Sequence, residues 1–128
     1  MIVADTDVLI DFLRGAGAAE RVALELENGA LWTTAVTRFE LMAGARTDRQ
    51  RVLIDDLLGG IPTLALDEGA ADEAAAIRRD LEARGESIGM ADSLIAGIVR
   101  ANHKVLLTQN RKHFERVAGL ALSLGSEE

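Results

Sequence analysis

Short apolar runs alternate with segments of helical period along most of this chain. Ile2-Val3-Ala4 is a first strand candidate that ends at Asp5. From Asp7 to Leu13, Val8, Ile10 (or Leu9), Phe12 and Leu13 recur at near-helical spacing, and Gly15 supplies a stop. A second helix is predicted from Gly17 to Asn28, with Val22, Leu24 and Leu26 turned inward and Asn28-Gly29 closing it. Ala30 to Thr33 fits a second strand, and Thr34 can cap a helix from about Ala35 to Ala45. Asp48 to Leu58 forms another helix, stopped by Gly59-Gly60. Thr63 to Leu66 is the third strand, with the only proline, Pro62, at its start, where a missing N–H is tolerated. Asp67 to Arg84 is rich in Ala, Glu and Arg and ends at Gly85, a helix on propensity alone. Met90 to Asn102 is a more apolar helix, Lys104 to Leu107 the fourth strand, Arg111 to Val117 a short helix, and Leu120 to Leu122 a fifth strand.

Strands alternating with helices imply parallel crossover units. Because the strands are continuously apolar, both faces of the sheet must be covered. The expected fold is a three-layer α/β/α sandwich with a central, mainly parallel sheet of four to five strands. No internal repeat or linker divides the chain, so residues 1–128 are expected to form a single domain.

Composition narrows the chemistry. There are no cysteines, which excludes disulfides, thiol catalysis and Cys-based metal centres. Two histidines, His103 and His113, leave little room for a His-rich site. No apolar run approaches the ~20 residues needed to span a bilayer, and Met1 to Asp5 carries no basic leader. The chain therefore reads as cytoplasmic, with no membrane partner. Its 14 basic and 21 acidic residues sum to −7, which argues against a broad basic face for nucleic acid. A bound cation would reverse that field locally.

In open parallel sheets the ligand crevice lies beyond the carboxyl ends of the strands. The first strand runs into Asp5-Thr6-Asp7, the second into Thr33-Thr34 and a helix bearing Glu40, and the fourth into Thr108-Gln109-Asn110. Asp92 is the only charged residue between Ile88 and Val99. A carboxylate on so apolar a helix is costly unless paired or bound to a cation. Each residue also has a simpler role alone: Asp5 and Asp7 as caps, Asp92 as a first-turn acid, Glu40 as a solvated helix residue, Asn110 as a turn residue. Their arrival at one end of the sheet is what favours chemistry. Three carboxylates and an amide oxygen are hard ligands suited to Mg²⁺, with Mn²⁺ as a substitute. Asp7 or a substrate phosphate could help hold a second ion. Such a centre permits metal-assisted phosphodiester hydrolysis.

Four stretches, taken in order, resemble a known family. They are Asp5-Thr6-Asp7-Val8-Leu9-Ile10, Glu40-Leu41 followed by Gly44, Asp92-Ser93-Leu94-Ile95-Ala96, and Leu107-Thr108-Gln109-Asn110 with His113-Phe114. Together they look like a PIN-domain ribonuclease, most closely the VapC-type toxins of type II toxin–antitoxin modules. No single motif is specific, but the ordered set is, and it spans Ile2 to about Leu122. The resemblance implies an endoribonuclease in which Asp5, Glu40 and Asp92 hold Mg²⁺. Asn110 takes a fourth position where many members have Asp, keeping an oxygen and losing a charge. By the same resemblance, Thr6 and Thr108 support the carboxylates and Asp7 binds metal through water. A structured RNA substrate such as transfer or ribosomal RNA, a cognate antitoxin and a homodimer are also implied.

With so acidic a chain, phosphate contacts must be local, and Arg14, Arg38, Arg46, Arg111 and Lys112 are the candidates. Trp32 and Phe39 read as core or dimer surface rather than base-stacking platforms. His113 reads as a bystander on the helix before Phe114. Two rival readings use the same acids. A haloacid-dehalogenase-type phosphatase would employ Asp5 as nucleophile, but it asks for a lysine and a later acidic pair. A receiver-like signalling domain would employ Asp67 as phosphoacceptor, although Asp67-Glu68 opens a long helix and suits a cap.

Overall fold

In the computed structural model, which describes residues 1–125, five strands form one parallel sheet in the order β3-β2-β1-β4-β5. The strands are β1 (Ile2–Ala4), β2 (Leu31–Thr34), β3 (Thr63–Leu64), β4 (Val105–Thr108) and β5 (Ala121–Leu124). The helices are α1 (Thr6–Arg14), α2 (Ala19–Glu27), α3 (Ala35–Gly44), α4 (Asp48–Gly59), α5 (Glu68–Ala83), α6 (Met90–Ala101) and α7 (Arg111–Phe114). The α/β sandwich expected from the strand–helix alternation is the fold observed. Residues 126–128, the end of the expected domain, lie outside the described residues.

The sheet is covered on both faces, as its apolar strands require. Val3 and Leu106 enter one core with Ile77, Leu81, Ile95, Val99 and Phe114. Their strand neighbours Ile2, Ala4 and Leu107 enter the other, with Val8, Leu9, Val22, Leu41 and Ile54. Successive strand residues point to opposite faces, so a sheet buried twice has no polar alternation to show.

Several boundaries differ from the sequence expectation for local reasons. The second helix begins at Ala19 rather than Gly17, because Gly17 adopts φ 55° and the Ala18 N–H donates to Asp11 Oδ2 at 3.0 Å. Leu24, expected inside, is half exposed, whereas Val22 is fully buried. Two positions along a helix turn the chain by about 200°, so Val22 and Leu24 cannot share a face. The third strand stops at Leu64 and leaves Leu66 exposed, since an edge strand has only one neighbour to extend it. The fifth strand runs to Leu124, and the seventh helix ends at Phe114 instead of Val117.

The α5–α6 pair backs one face of the sheet. Gly97 makes their close approach possible, because a Cβ there would lie 2.6 Å from the Cβ of Ala74 and 2.7 Å from its backbone. Gly97→Ala is expected to lower stability by about 1–3 kcal/mol through overpacking. Thermal denaturation checks this, and an unchanged midpoint would refute it.

Candidate active site

The crevice sits where the strand order reverses: β2 and β3 lie on one side of β1, and β4 and β5 on the other. In parallel sheets such a switch point opens a cleft at the strands' carboxyl ends. Ala4 is in register with Leu107, so Asp5 and Thr108 leave the sheet side by side. The Asp5 N–H continues the ladder to the Leu107 carbonyl at 2.9 Å.

Asp5 is the N-cap of α1, extended at φ −72° and ψ 164°, with the Thr6 N–H donating to its Oδ1 at 2.8 Å. Its Oδ2 accepts from Thr108 Oγ1 at 2.8 Å. The capping role weighed from sequence is therefore real, yet it does not account for the burial. Only 4% of Asp5 is exposed. Burial, then the charge of Asp7, and more weakly that of Asp92, raise its pKa to about 7 against the lowering effect of the Thr108 and Thr6 bonds. Asp7 Oδ2 accepts from the Gln109 N–H at 3.0 Å and lies 3.4 Å from Thr108 Oγ1. Burial raises the pKa of Asp7 also. Its Oδ1 is buried with no hydrogen-bond partner among the described residues.

Glu40, on the second turn of α3, reaches the crevice through Thr6. Thr6 Oγ1 donates to Glu40 Oε1 at 2.5 Å and lies 3.1 Å from Thr37 Oγ1. Thr37 in turn meets Thr34, the N-cap of α3. Asp92 lies in the first turn of α6, whose N-cap is Gly89. It turns across to the β4 exit, where His113 Nδ1 lies 2.8 Å and Asn110 Nδ2 3.5 Å from its Oδ2. Asn110 is the N-cap residue of α7, but its side chain makes no capping bond.

All four principal candidates thus stand at the carboxyl end of the sheet in three linked knots: Asp5–Thr108–Asp7, Thr6–Glu40 and Asp92–Asn110–His113. They do not form a closed cage. Among the described residues, no three His, Asp or Glu side chains stand close enough together to hold an ion. The donor set nevertheless fits a hard divalent cation. Buried Asp5 and half-buried Asp7 share a rim, and one Asp7 oxygen is buried without a hydrogen-bond partner among the described residues.

Sequence reasoning passed over two residues. Thr37 couples the α3 cap to Thr6, a link visible only across the sheet. His113, read as a bystander, contacts Asp92 directly. Its three-residue spacing from Asn110 on a short helix was the available signal. Of the basic candidates, Arg111 is engaged by Glu115 at 3.1 Å. Arg14, Arg38, Arg46 and Lys112 are exposed and make no ion pair among the described residues. Phe39 is not core: it is 69% exposed, beside Met90 and Leu66 on a groove of about 480 Å³ that reaches Glu40. Trp32 packs against the core, with Lys104 Nζ 5.2 Å from its ring centroid.

A family model for the PIN domain matches residues 2–120. The chain belongs to the PIN-domain family. It is 32% identical to a tRNA(fMet)-specific endonuclease VapC of Shigella flexneri, over 91% of each chain. It is also similar to VapBC-1 from nontypeable Haemophilus influenzae, with 26% identity, TM-score 0.82 and coverage of 99% and 100%. The DNA-bound VapBC of Salmonella typhimurium has the same fold, at TM-score 0.86, 24% identity and 98% coverage of both chains. These likenesses place the chain among the VapC-type ribonucleases of toxin–antitoxin modules. PIN-domain ribonucleases of this type generally depend on a divalent metal.

The rival readings are not favoured. Asp67 caps α5, accepting from the Ala70 N–H at 2.9 Å, and so has a structural role. The strand order also differs from the 2-1-3-4-5 order of receiver domains. A phosphatase of that type would need an acidic pair after a later strand, whereas the β4 exit, Thr108-Gln109-Asn110, carries no acid.

The raised Asp5 pKa carries a stability signature. An acid with pKa 3.8 unfolded and about 7 folded is protonated only in the folded state between those values. Its contribution to stability is therefore full below the lower value, is lost as pH climbs towards the upper one, and stays lost above it. In EDTA, Asp5→Asn should gain more in melting temperature over the parent at pH 8 than at pH 4. A gain independent of pH would contradict the assignment.

Proposed function

We propose that residues 1–128 act as one Mg²⁺-dependent endoribonuclease domain that hydrolyses phosphodiester bonds in a structured RNA, with transfer RNA favoured. The Asp5–Asp7 pair carries this reading: a buried and a half-buried acid held at the switch point, with one orphaned oxygen, in a chain similar to RNA-cleaving relatives. Asp5, Asp92 and Glu40 would hold the cation, with Asp7 and Asn110 adding oxygens. Mn²⁺ would substitute, having the same preference for oxygen ligands. When bound, such a cation neutralises phosphoryl charge and activates water for attack.

The chain's own residues do the positioning. Thr108 fixes Asp5 and faces Asp7, so the β1 and β4 exits keep one geometry. Thr6 ties the Asp5 backbone turn to Glu40 and so links α1 to α3. Arg14, Arg38, Arg46, Arg111 and Lys112 are assigned to phosphate contact, Arg111 after release from Glu115. A cognate antitoxin is the protein partner, in keeping with the VapBC complexes among the structural neighbours. We assign a homodimer and a cytoplasmic location on the same reading; no helix among the described residues is long and apolar enough to cross a membrane.

Asp5→Asn and Asp92→Asn should each lower RNA cleavage at least ~100-fold while circular dichroism stays that of the parent. Sequencing of cellular RNA ends after brief expression of parent and Asp5→Asn protein tests this and identifies the target. Parent-level cleavage by either variant would overturn the site. EDTA should abolish cleavage, with Mg²⁺ or Mn²⁺ restoring it. The basic candidates predict a second result: log affinity for RNA, measured on the Asp5→Asn protein, should fall with log salt. Replacing Arg38 and Lys112 together by Gln should flatten that slope by about one to two units, and an unchanged slope would exclude them.

A further inference from the structure

We propose that His113 is a positioning residue for Asp92: its Nδ1–H holds one carboxylate oxygen and leaves the other for the cation. This rests on the metal-site reading above and adds a residue to it.

The donor supply around Asp92 carries the inference. The Ser93 hydroxyl, next to it in the first turn of α6, is spent on the Gly89 carbonyl at 3.0 Å. The N-cap Gly89 has no side chain to offer. Asp92 is partly buried, and among the described residues its side-chain partners are Asn110 and His113, both from the β4 exit. An ionised carboxylate only accepts hydrogen bonds. At 2.8 Å from Oδ2, His113 Nδ1 must therefore carry the proton. The Asn110 amide nitrogen lies 3.0 Å from the same Nδ1, which cannot then accept from it, so the amide N–H turns to Asp92 as well. The two side chains form one donating unit.

Packing does not explain the ring. The His113 side chain is 41% exposed, while its neighbour Phe114 is fully buried and anchors α7. Asn110 is likewise free of capping duty. Carboxylates that hold metal are regularly fixed by hydrogen bonds of their own, and losing such a partner typically costs about 10–100-fold in metal affinity. Asn110 contributes no charge at this end of the crevice, so the orientation of Asp92 matters more.

The test is calorimetric titration of Mn²⁺ into the RNA-free chain. His113→Phe and His113→Gln should each weaken binding about 10-fold or more. His113→Asn places its amide nitrogen near the former Nδ1, so it should stay within about threefold of the parent. Parent-like affinity in His113→Phe, or an Asn variant as weak as the Phe variant, would overturn the proposal. The ¹⁵N spectrum of the metal-free parent gives a second readout: Nδ1 of His113 should be protonated, and an unprotonated Nδ1 would also overturn it. Asp92→Asn separates the two levels. If it loses Mn²⁺ while His113→Phe does not, only the positioning role fails. If it binds Mn²⁺ like the parent, the metal-site reading fails and this inference falls with it.

Discussion

An acid at the end of an interior strand cannot be left alone, and the arrangement of this molecule's functional end follows from that constraint. Asp5 is delivered into the protein by β1, which is buried on both faces. Its two oxygens receive one backbone and one hydroxyl donor, and neither donor removes the cost of the charge. Asp7 follows two residues later with an oxygen that nothing satisfies. Folding thus assembles negative charge where it is least comfortable, a cost that a divalent cation offsets. The same carboxylates exposed on a helix surface would hold an ion weakly.

Hydroxyl groups hold the acids of the site in place. Thr108, Thr6 and Thr37 tie three elements together across the crevice with hydroxyl hydrogen bonds. Hydroxyls suit this work because they donate to carboxylates without adding charge, so they orient the acids and leave the field intact for a cation. At the opposite rim, Asp92 is held by donors from the β4 exit. The acidic end of the sheet is therefore a set of hydrogen-bonded pairs linked through Thr6 and Thr108. The molecule's net charge of −7 matters less than this local design.

The exposed apolar residues contrast with the polar crevice. Phe39, Met90 and Leu66 border a groove that reaches Glu40, and a second groove of about 340 Å³, lined by Ile10, Leu13, Leu41 and Leu53, reaches Glu40 from the other side. Glu40 stands where they meet, on a helix whose Val36 enters one core and whose Leu41 enters the other. α3 thus links both layers to the site, and its cap at Thr34 fixes where Glu40 begins its reach.

Much of this was written in local pattern. Apolar triplets ending in Asp, Thr34 as a cap and the glycine stops gave the strand–helix order, because caps and burial periodicity act over a few residues. Where the reading failed, the deciding contact was distant or the periodicity was misapplied. Gly17 turned out of the helix so that the Ala18 N–H meets Asp11, Leu66 had no second strand beside it, and Leu24 fell on the wrong side of a helical turn. Asp5, Asp92 and Asn110 were legible as candidates because each follows a strand or interrupts an apolar helix, and Glu40 because it rides the helix after the second strand and matches the family's ordered set. Only the tertiary structure decided which of them touch, and that His113 joins Asp92. Hydrogen bonds across the β1–β4 switch point link residues up to 103 positions apart, and no local periodicity encodes such a distance.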